Sequence, residues 1–261
     1  MRPGSNSQLR ITAALFAAVF LVAGRARAID LYEIQIYPTE TTPQQALELE
    51  LHSNSVTTAT GSEAKSELRP YEIHETLEGS YGLTPHIELG QYLCTAKLEN
   101  GNYEYSGSRT KVHFGIAPTD EWPVQFGGNI ELDYMRRAAD QNPLTLELRP
   151  IIETHVGKFW LIANFAFEKP FQGPGTHRGF TLSPSGEVTY DLFRWLAPAI
   201  EYYGDMGALE HLPSVQSQQH FIVPALNLPL TSRLELNLGV GIGLTHASNG
   251  TFLKSIVGWQ F

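Results

Sequence analysis

Hydrophobic and polar residues alternate along most of the chain. Leu47, Leu49 and Leu51 are interleaved with polar residues, and every second position from Leu234 to Leu244 is aliphatic. Because successive side chains of a β-strand point to opposite faces, this period of two predicts strands with one apolar face and one polar face. Helical spacing is nowhere sustained, so the pattern argues against an α/β enzyme.

The end of the chain, Gly250 to Phe261, is the most informative of these segments. Val257, Trp259 and Phe261 fall on one face, and Lys254 falls on the other. The segment has about the length that a tilted membrane-crossing strand needs, and its final aromatic residues suit an interfacial girdle. It resembles the closing strand of bacterial outer-membrane barrels, which implies that Trp259 and Phe261 are read by the barrel-assembly machinery. An amphipathic strand of a soluble sandwich is the alternative.

Residues 1–28 predict export. Arg2 and Arg10 give a positive start, an apolar run extends from Ile11 to Gly24, and residues 26–28 have the small-x-small form of a cleavage site. We therefore expect a signal peptide at 1–28 that is cleaved. An N-terminal segment follows at 29–45, and an outer-membrane β-barrel occupies 46–261.

The exported part of the chain is acidic. The four arginines of residues 1–28 leave 14 basic against 27 acidic residues, a formal charge of −13. This balance argues against nucleic acid as a partner, because phosphate backbones are bound by clustered Lys and Arg. Cys94 is the only cysteine, so no internal disulfide stabilises the exported chain. By alternation the Cys94 thiol points inward.

The alternating segments predict an all-β fold, a transmembrane antiparallel up-and-down β-barrel of about twelve strands. Five connections are short, near 83–85, 117–123, 157–158, 193–195 and 229–233. Of the connections that alternate with these, most are longer and polar, at 53–70, 136–143, 168–179 and 204–217, and two, near 99–102 and 246–249, are also short. Short turns face the periplasm in such barrels, and counting backwards from the carboxy terminus puts all five on that side. A thirteenth crossing at Ile29–Tyr37 would break the even count, so we expect that segment in the periplasm or in the lumen as a plug.

Charged residues of the strands are expected to face the lumen. A charge on the lipid face near the midplane costs about 2–4 kcal/mol, which forces this orientation. The predicted lumen-lining charges are Glu48, Glu50, Glu72, Glu78, Glu88, Glu131, Asp133, Glu147, Arg149, Glu201, Glu235 and Lys254. The same alternation adds Lys111, Glu153, Glu187 and Asp191.

This acidic excess permits two interpretations. One is an aqueous passage that favours cations. The other is a lumen filled by salt bridges and shared protons, which conducts nothing. Barrels of about eight strands are filled by side chains and barrels of about sixteen leave a channel, so twelve strands allow either. Because unpaired carboxylates are costly away from water, we favour the passage.

No catalytic or metal site is predicted. His246 with Ser248 and Asn249, and His211 with Ser214, are local groups, whereas hydrolase triads assemble from separated segments. The nine histidines show no HxH or HxxxH spacing, so metal binding has no support. We expect no cofactor and no enzymatic activity, with a surface hydrolase as the least favoured alternative.

Several segments resemble a proteobacterial family of uncharacterised outer-membrane β-barrels. They are Ile29–Tyr37, Leu47–His52, Glu201–Gly204, Gly239–Thr245 and Gly258–Phe261. That family looks related to the porin-like group named for meta-pathway phenol degradation, whose members are thought to pass hydrophobic compounds. The resemblance implies a barrel in the outer membrane and brings no catalytic residues.

These observations predict a porin-like protein of the bacterial outer membrane. It would let small solutes, either cations or small hydrophobic and aromatic compounds, pass through an acidic lumen. Its expected partners are outer-membrane lipid, the barrel-assembly machinery and small solutes. The alternative function is that of a closed structural or ligand-binding barrel that acts through its extracellular loops.

Overall fold

The protein forms a closed barrel of twelve antiparallel strands. The computed structural model describes residues 29–58, 73–97, 102–116, 123–248 and 250–261. The strands are β1 (Leu47–Thr58), β2 (Ile73–Thr84), β3 (Ile87–Lys97), β4 (Tyr103–Gly115), β5 (Gln125–Met135), β6 (Leu144–Val156), β7 (Phe159–Gln172), β8 (Thr181–Tyr190), β9 (Ala197–Asp205), β10 (Gln219–Pro229), β11 (Leu234–Gly243) and β12 (Thr251–Gln260). Consecutive strands pair, and β1 pairs with β12 to close the sheet. The predicted fold class is confirmed.

In the described part of the chain, helical structure is confined to three short 3-10 turns in the connections after β7 and β9. They span Pro174–His177, Leu209–His211 and Val215–Ser217. Within the described ranges, none of these is long and apolar enough to cross a membrane.

Three strands run further than their polar composition indicated. The connection predicted at 53–70 starts only after Thr58, the one at 168–179 after Gln172, and the one at 204–217 after Asp205. These strand ends stay paired with β12, β6 and β10 respectively. The ladder is made by backbone groups, so polar side chains do not end a strand when its neighbour continues. Residues 117–122 of one predicted turn lie outside the described part of the chain.

The outward face is apolar on every strand. Leucines such as Leu51, Leu93 and Leu238 are about half exposed, although the residues beside them in sequence are mostly buried. Exposed aromatic residues sit near both ends of the barrel; they include Tyr103, Tyr134, Phe171, Phe193, Trp195, Trp259 and Phe261. An apolar band between two aromatic girdles is the outer surface that a membrane-spanning barrel presents to lipid.

Residues 29–46, here called the luminal segment, lie inside the barrel. Ile34 and Tyr37 are buried in a cluster with inward side chains from opposite parts of the wall, including Ile151 of β6 and Phe252 of β12. This segment passes along the lumen. The Ile29 amide donates to the Gln219 side chain at 2.7 Å, near the end of the barrel that carries the longer loops.

The luminal segment leaves the lumen at the end with the short turns. There Gln44 forms a bridge with Gly82, and the Gln45 amide donates to the Gly82 carbonyl at 2.8 Å. Two wall glycines permit the close approach of backbone to backbone. A Cβ at Gly82 would overlap the Pro43 carbonyl, and one at Gly115 would overlap the Thr39 carbonyl.

A charge placed on the outward face is expected to destabilise the barrel according to its depth. Leu238→Arg, in the middle of β11, should lower the free energy of unfolding by about 2–4 kcal/mol in lipid vesicles. Leu230→Arg is the matched control, since Leu230 is similarly exposed but lies in the turn after β10, where the cost should be about 0–1 kcal/mol. Equal losses in urea titrations would show that the outward face is not in lipid.

Candidate functional site

The inward face of the barrel is lined by charged side chains. Of the residues predicted there, those that are fully buried are Glu78, Glu88, Glu131, Glu147, Glu201 and Lys254. Glu48, Glu50, Asp133 and Arg149 are partly buried. Glu235 is exposed near the start of β11, and Glu72 lies outside the described residues.

The other residues predicted to face the lumen also differ in how deeply they are buried. Lys111 and Glu153 are buried, and Glu187 is partly buried. Asp191 is exposed and lies in the turn that follows β8, which ends at Tyr190. Cys94 is a free, fully buried thiol.

The two inward lysines, on β4 and β12, are held by carboxylates of other strands, which are β2 and β3 for Lys111 and β9 for Lys254. Lys111 Nζ lies 2.7 Å from Glu78 Oε1 and 3.3 Å from Glu88 Oε1. Lys254 Nζ lies 2.7 Å from Glu201 Oε2, and it also donates to the Tyr203 hydroxyl. These pairs compensate the cost of burying each charge.

Two arginines of the wall reach across the lumen to the luminal segment. Arg109 Nη1 lies 2.6 Å from Glu33 Oε2, and Arg149 Nη1 lies 3.4 Å from Glu33 Oε1. Arg109 also pairs with Asp30, and Arg149 Nε donates to Glu147 Oε1 at 2.6 Å. Glu33 therefore joins strands β4 and β6 through the segment that lies between them.

Glu33 is the anionic centre of this network. The Tyr37 hydroxyl donates to Glu33 Oε1 at 2.6 Å. Burial by itself would raise the pKa of the Glu33 carboxyl, but Arg149, Arg109 and the Tyr37 hydrogen bond outweigh it and hold the pKa below its ordinary value of 4.5. The buried carboxyl is thus ionised at neutral pH, and it draws both guanidinium groups to the segment.

Hydrogen bonds with wall side chains fix the backbone of the luminal segment. The Asn164 amide of β7 accepts from the Tyr37 amide at 2.8 Å and donates to the Tyr37 carbonyl at 2.9 Å. Further along, Glu153 accepts from the Thr39 amide at 2.9 Å, and Glu88 accepts from the Thr42 amide at 2.7 Å. The luminal segment is extended and has no sheet partner over most of its length. Inward polar residues of the wall thus provide hydrogen-bond partners for its backbone.

Sequence reasoning placed Arg149, Glu88 and Glu153 in the lumen but missed two other residues that hold the segment, Arg109 and Glu33. Arg109 shares the inward face of β4 with Lys111 and His113, so the alternation of that strand carried the signal. Glu33 carried no such signal, because it lies outside the strands and its environment depends on where the segment folds.

The serines considered for catalysis have structural partners. Ser248 Oγ accepts from the His220 amide at 2.9 Å and donates to the His220 carbonyl at 2.8 Å. Ser214 Oγ lies 3.1 Å from Ser217 Oγ. Asn249 falls outside the described residues.

The two terminal aromatic residues lie on the outer surface. Trp259 and Phe261 are 40% and 61% exposed, and their rings meet edge to face with centroids 6.4 Å apart. The Phe261 amide donates to the Leu47 carbonyl at 2.8 Å, so the carboxy terminus takes part in the closure of the barrel. Recognition of Trp259 and Phe261 by the barrel-assembly machinery stays a prediction.

Comparison with known proteins identifies the fold. No family model and no curated protein matches the sequence. Among solved structures, an outer-membrane channel from Pseudomonas putida F1 is similar with a TM-score of 0.60 and 11% identity, covering 88% of this chain and 100% of that one. The KdgM porin is similar with a TM-score of 0.58 and 9% identity, covering 82% and 99%. The NanC porin is similar with a TM-score of 0.53 and 9% identity, covering 82% and 98%.

These likenesses establish a shared barrel architecture over nearly the whole length of each known porin or channel. The predicted relation to the phenol-degradation group stays a prediction. The chain has the fold of outer-membrane porins and channels.

Glu33→Gln is expected to loosen the luminal segment without opening the barrel. The change removes the anion that Arg109 and Arg149 share, and breaking a buried ion pair in this way costs about 3–5 kcal/mol. Hydrogen–deuterium exchange should therefore speed up in peptides from 29–46 while the strands stay protected. Glu187→Gln is the matched control, since that carboxylate accepts from Asn227 on the wall. Unchanged exchange in Glu33→Gln would contradict the assignment.

Protection of the luminal segment should also be lost in acid. Because the Glu33 pKa is depressed, its stabilising contribution is complete above the ordinary value and disappears as pH falls through the lowered pKa. The charged and polar groups around the Glu33 carboxyl are Arg109, Arg149, Tyr37, Glu78 and Glu131. Exchange corrected for intrinsic rates should show a component, absent from Glu33→Gln, that rises as pH falls below about 4.5. If exchange in the Glu33→Gln variant rises in acid as much as in the wild type, the loss of protection comes from the other carboxylates and not from Glu33.

Proposed function

We propose that this protein is a channel of the bacterial outer membrane for small solutes, with a preference for cations. One observation carries the proposal: a closed barrel is apolar outside on every strand and charged inside. Such a surface is stable only when lipid covers the outer face, because exposed apolar bands of this extent otherwise drive association. The fold shared with porins supports the same conclusion.

The charge of the lumen supports the cation preference. The inward bases of the described strands are Arg109, Lys111, Arg149 and Lys254, and the carboxylates outnumber them. Glu48 and Glu235 lie close to Glu50 and add carboxyl groups near the end of the barrel that carries the short turns. Rings of carboxylates attract cations and repel anions.

We further infer that the luminal segment is the plug of this channel. Its contacts extend from Gln219 near one end of the lumen to Glu88 near the other. Solutes would pass when the segment shifts, and the pairs between Glu33 and the two arginines would set how readily it does so. No catalytic step is part of this function.

The same contacts favour a second candidate, a closed barrel. Buried ion pairs and an ordered luminal segment are what a barrel that never conducts would also need. In that case the extracellular loops would be the functional surface. The two candidates differ in one property, which is whether ions cross the folded protein.

Currents through planar bilayers test the proposal. The refolded protein under a salt gradient should give discrete steps with a cation-selective reversal potential. Glu131→Gln combined with Asp133→Asn should reduce that selectivity, since both carboxylates line β5 beside Arg109. The control is Glu104→Gln, whose carboxylate is exposed near the outer end of β4.

Two outcomes would count against the channel. A folded wild-type barrel without steps, together with a folded variant lacking residues 29–36 that also gives none, would favour the closed barrel. Steps with anion preference would contradict the role of the carboxylates.

A further inference from the structure

Two carboxylates of the wall face each other in the lumen. Glu50 of β1 and Glu78 of β2 are direct partners across the ladder. His52, two residues from Glu50, lies on the same inward face and is fully buried. The ligand atoms of these three residues lie within 4.8 Å of one another. Like charges directly opposite on neighbouring strands repel. Lys111 neutralises Glu78 through Oε1, and a second cation beside Glu78 Oε2 would neutralise Glu50 as well.

The contacts of His52 lack the alignment of hydrogen bonds. Its Nε2 atom lies 3.4 Å from Glu50 Oε2 and 3.5 Å from Glu78 Oε2. Yet within the described part of the chain, neither ring nitrogen of His52 has a hydrogen-bond partner, and neither does Glu78 Oε2. Glu50 Oε2, His52 Nε2 and Glu78 Oε2 thus lie close together, and the two contacts of His52 do not have the geometry of hydrogen bonds.

These spacings match the separation of ligands around a metal ion. Two ligands about 2.0–2.1 Å from Zn²⁺ at a tetrahedral angle lie about 3.4 Å apart. We propose that Glu50, His52 and Glu78 form a binding site for a divalent transition-metal ion such as Zn²⁺. Imidazole nitrogen and carboxylate oxygen are both zinc ligands, and three protein ligands leave one position of a tetrahedral ion open.

Neighbouring groups orient the ligands. Lys111 and Ser80 both donate to Glu78 Oε1, at 2.7 and 2.9 Å, which leaves Oε2 directed at His52. Outer contacts of this kind fix the geometry of metal ligands and raise affinity. An acidic path leads to the site, because Glu48 and the exposed Glu235 also lie close to Glu50.

The luminal segment contributes a fourth group. Gln35 Nε2 lies 3.2 Å from Glu50 Oε2, and Gln35 Oε1 has no hydrogen-bond partner among the described residues. The two ends of an amide are interchangeable by a flip, which would put an oxygen at the same ligand spacing. A bound ion would then tie the wall to the luminal segment.

Zinc titration of the folded protein tests the site without any measurement of current. After treatment with a chelator, the wild-type barrel in detergent should bind about one Zn²⁺ in isothermal titration. X-ray absorption should show one imidazole nitrogen among oxygen ligands. Glu50→Gln and His52→Asn should each weaken binding by about 100-fold or more, since each removes a ligand.

His113→Asn is the matched control. His113 is another buried inward histidine, but its Nδ1 lies 2.5 Å from Asn129 Oδ1 and its Nε2 lies 3.0 Å from the Glu40 carbonyl. It should bind Zn²⁺ like the wild type. Heat-modified electrophoretic mobility establishes that each variant is folded. If His52→Asn does not fold, Glu50→Gln and the wild-type absorption spectrum decide.

Two results would overturn the site. One is a folded wild type that binds no Zn²⁺, which would mean that a proton on His52, together with Lys111, balances the two carboxylates. The other is a folded His52→Asn or Glu50→Gln variant that binds as tightly as the wild type. Both results are independent of whether the barrel conducts.

Discussion

Closure of a twelve-stranded ladder is the constraint on which the rest of the structure depends. Once β1 pairs with β12, every strand has two neighbours and its side chains have only two directions. Leucines and aromatic residues take the outward direction, so the charged residues of the strands must take the inward one. The carboxylates of the lumen are therefore a direct result of the period of two in the sequence.

The charged side chains of the lumen need opposite charges nearby, and other residues of the same chain supply many of them. Lys111 and Lys254 neutralise carboxylates within the wall, whereas Arg109 and Arg149 turn to Glu33 of the luminal segment. The segment thus supplies an anion to arginines that would otherwise lack part of their neutralisation. This reciprocity explains how an extended, partly apolar strand-like segment is held inside a charged barrel.

The luminal segment carries two groups through which its position in the barrel can be regulated. Glu33 and Gln35 are neighbours in the segment, and they meet different parts of the wall. Glu33 meets arginines on β4 and β6, while Gln35 meets Glu50 beside His52. Protons and a metal ion would therefore act on one element from two sides, and either would change how firmly the segment stays in place.

Most of the barrel could be predicted from the sequence, because alternation is a local pattern. The twelve strands and the closing β12 followed from residues such as Leu234 to Leu244, whose period is unbroken. Strand ends were less predictable, since pairing with a neighbour extends β1 and β7 through polar residues. Within the lumen, alternation pointed Glu131 and Lys254 inward, but it could not reveal contacts between distant segments.

The position of the luminal segment is the feature of the fold that the sequence predicted least well. Its period of two resembles that of a thirteenth strand, and only parity argued against a crossing. The bond of Asn164 with Tyr37 and the pairs of Glu33 depend on residues more than 70 positions apart. Such partners are set by the closed fold and have no trace in local spacing.

The central claim is that the luminal segment limits passage through the barrel. Single-channel conductance of Gly115→Val tests it most directly, because a Cβ there would overlap the Thr39 carbonyl while no charge changes. Gly79→Val is the matched control, since a Cβ at Gly79 would meet only a Leu49 side-chain atom at 3.4 Å. We predict larger conductance for Gly115→Val and unchanged conductance for Gly79→Val. Equal conductance of the wild type and a folded Gly115→Val variant with a displaced segment would contradict the account.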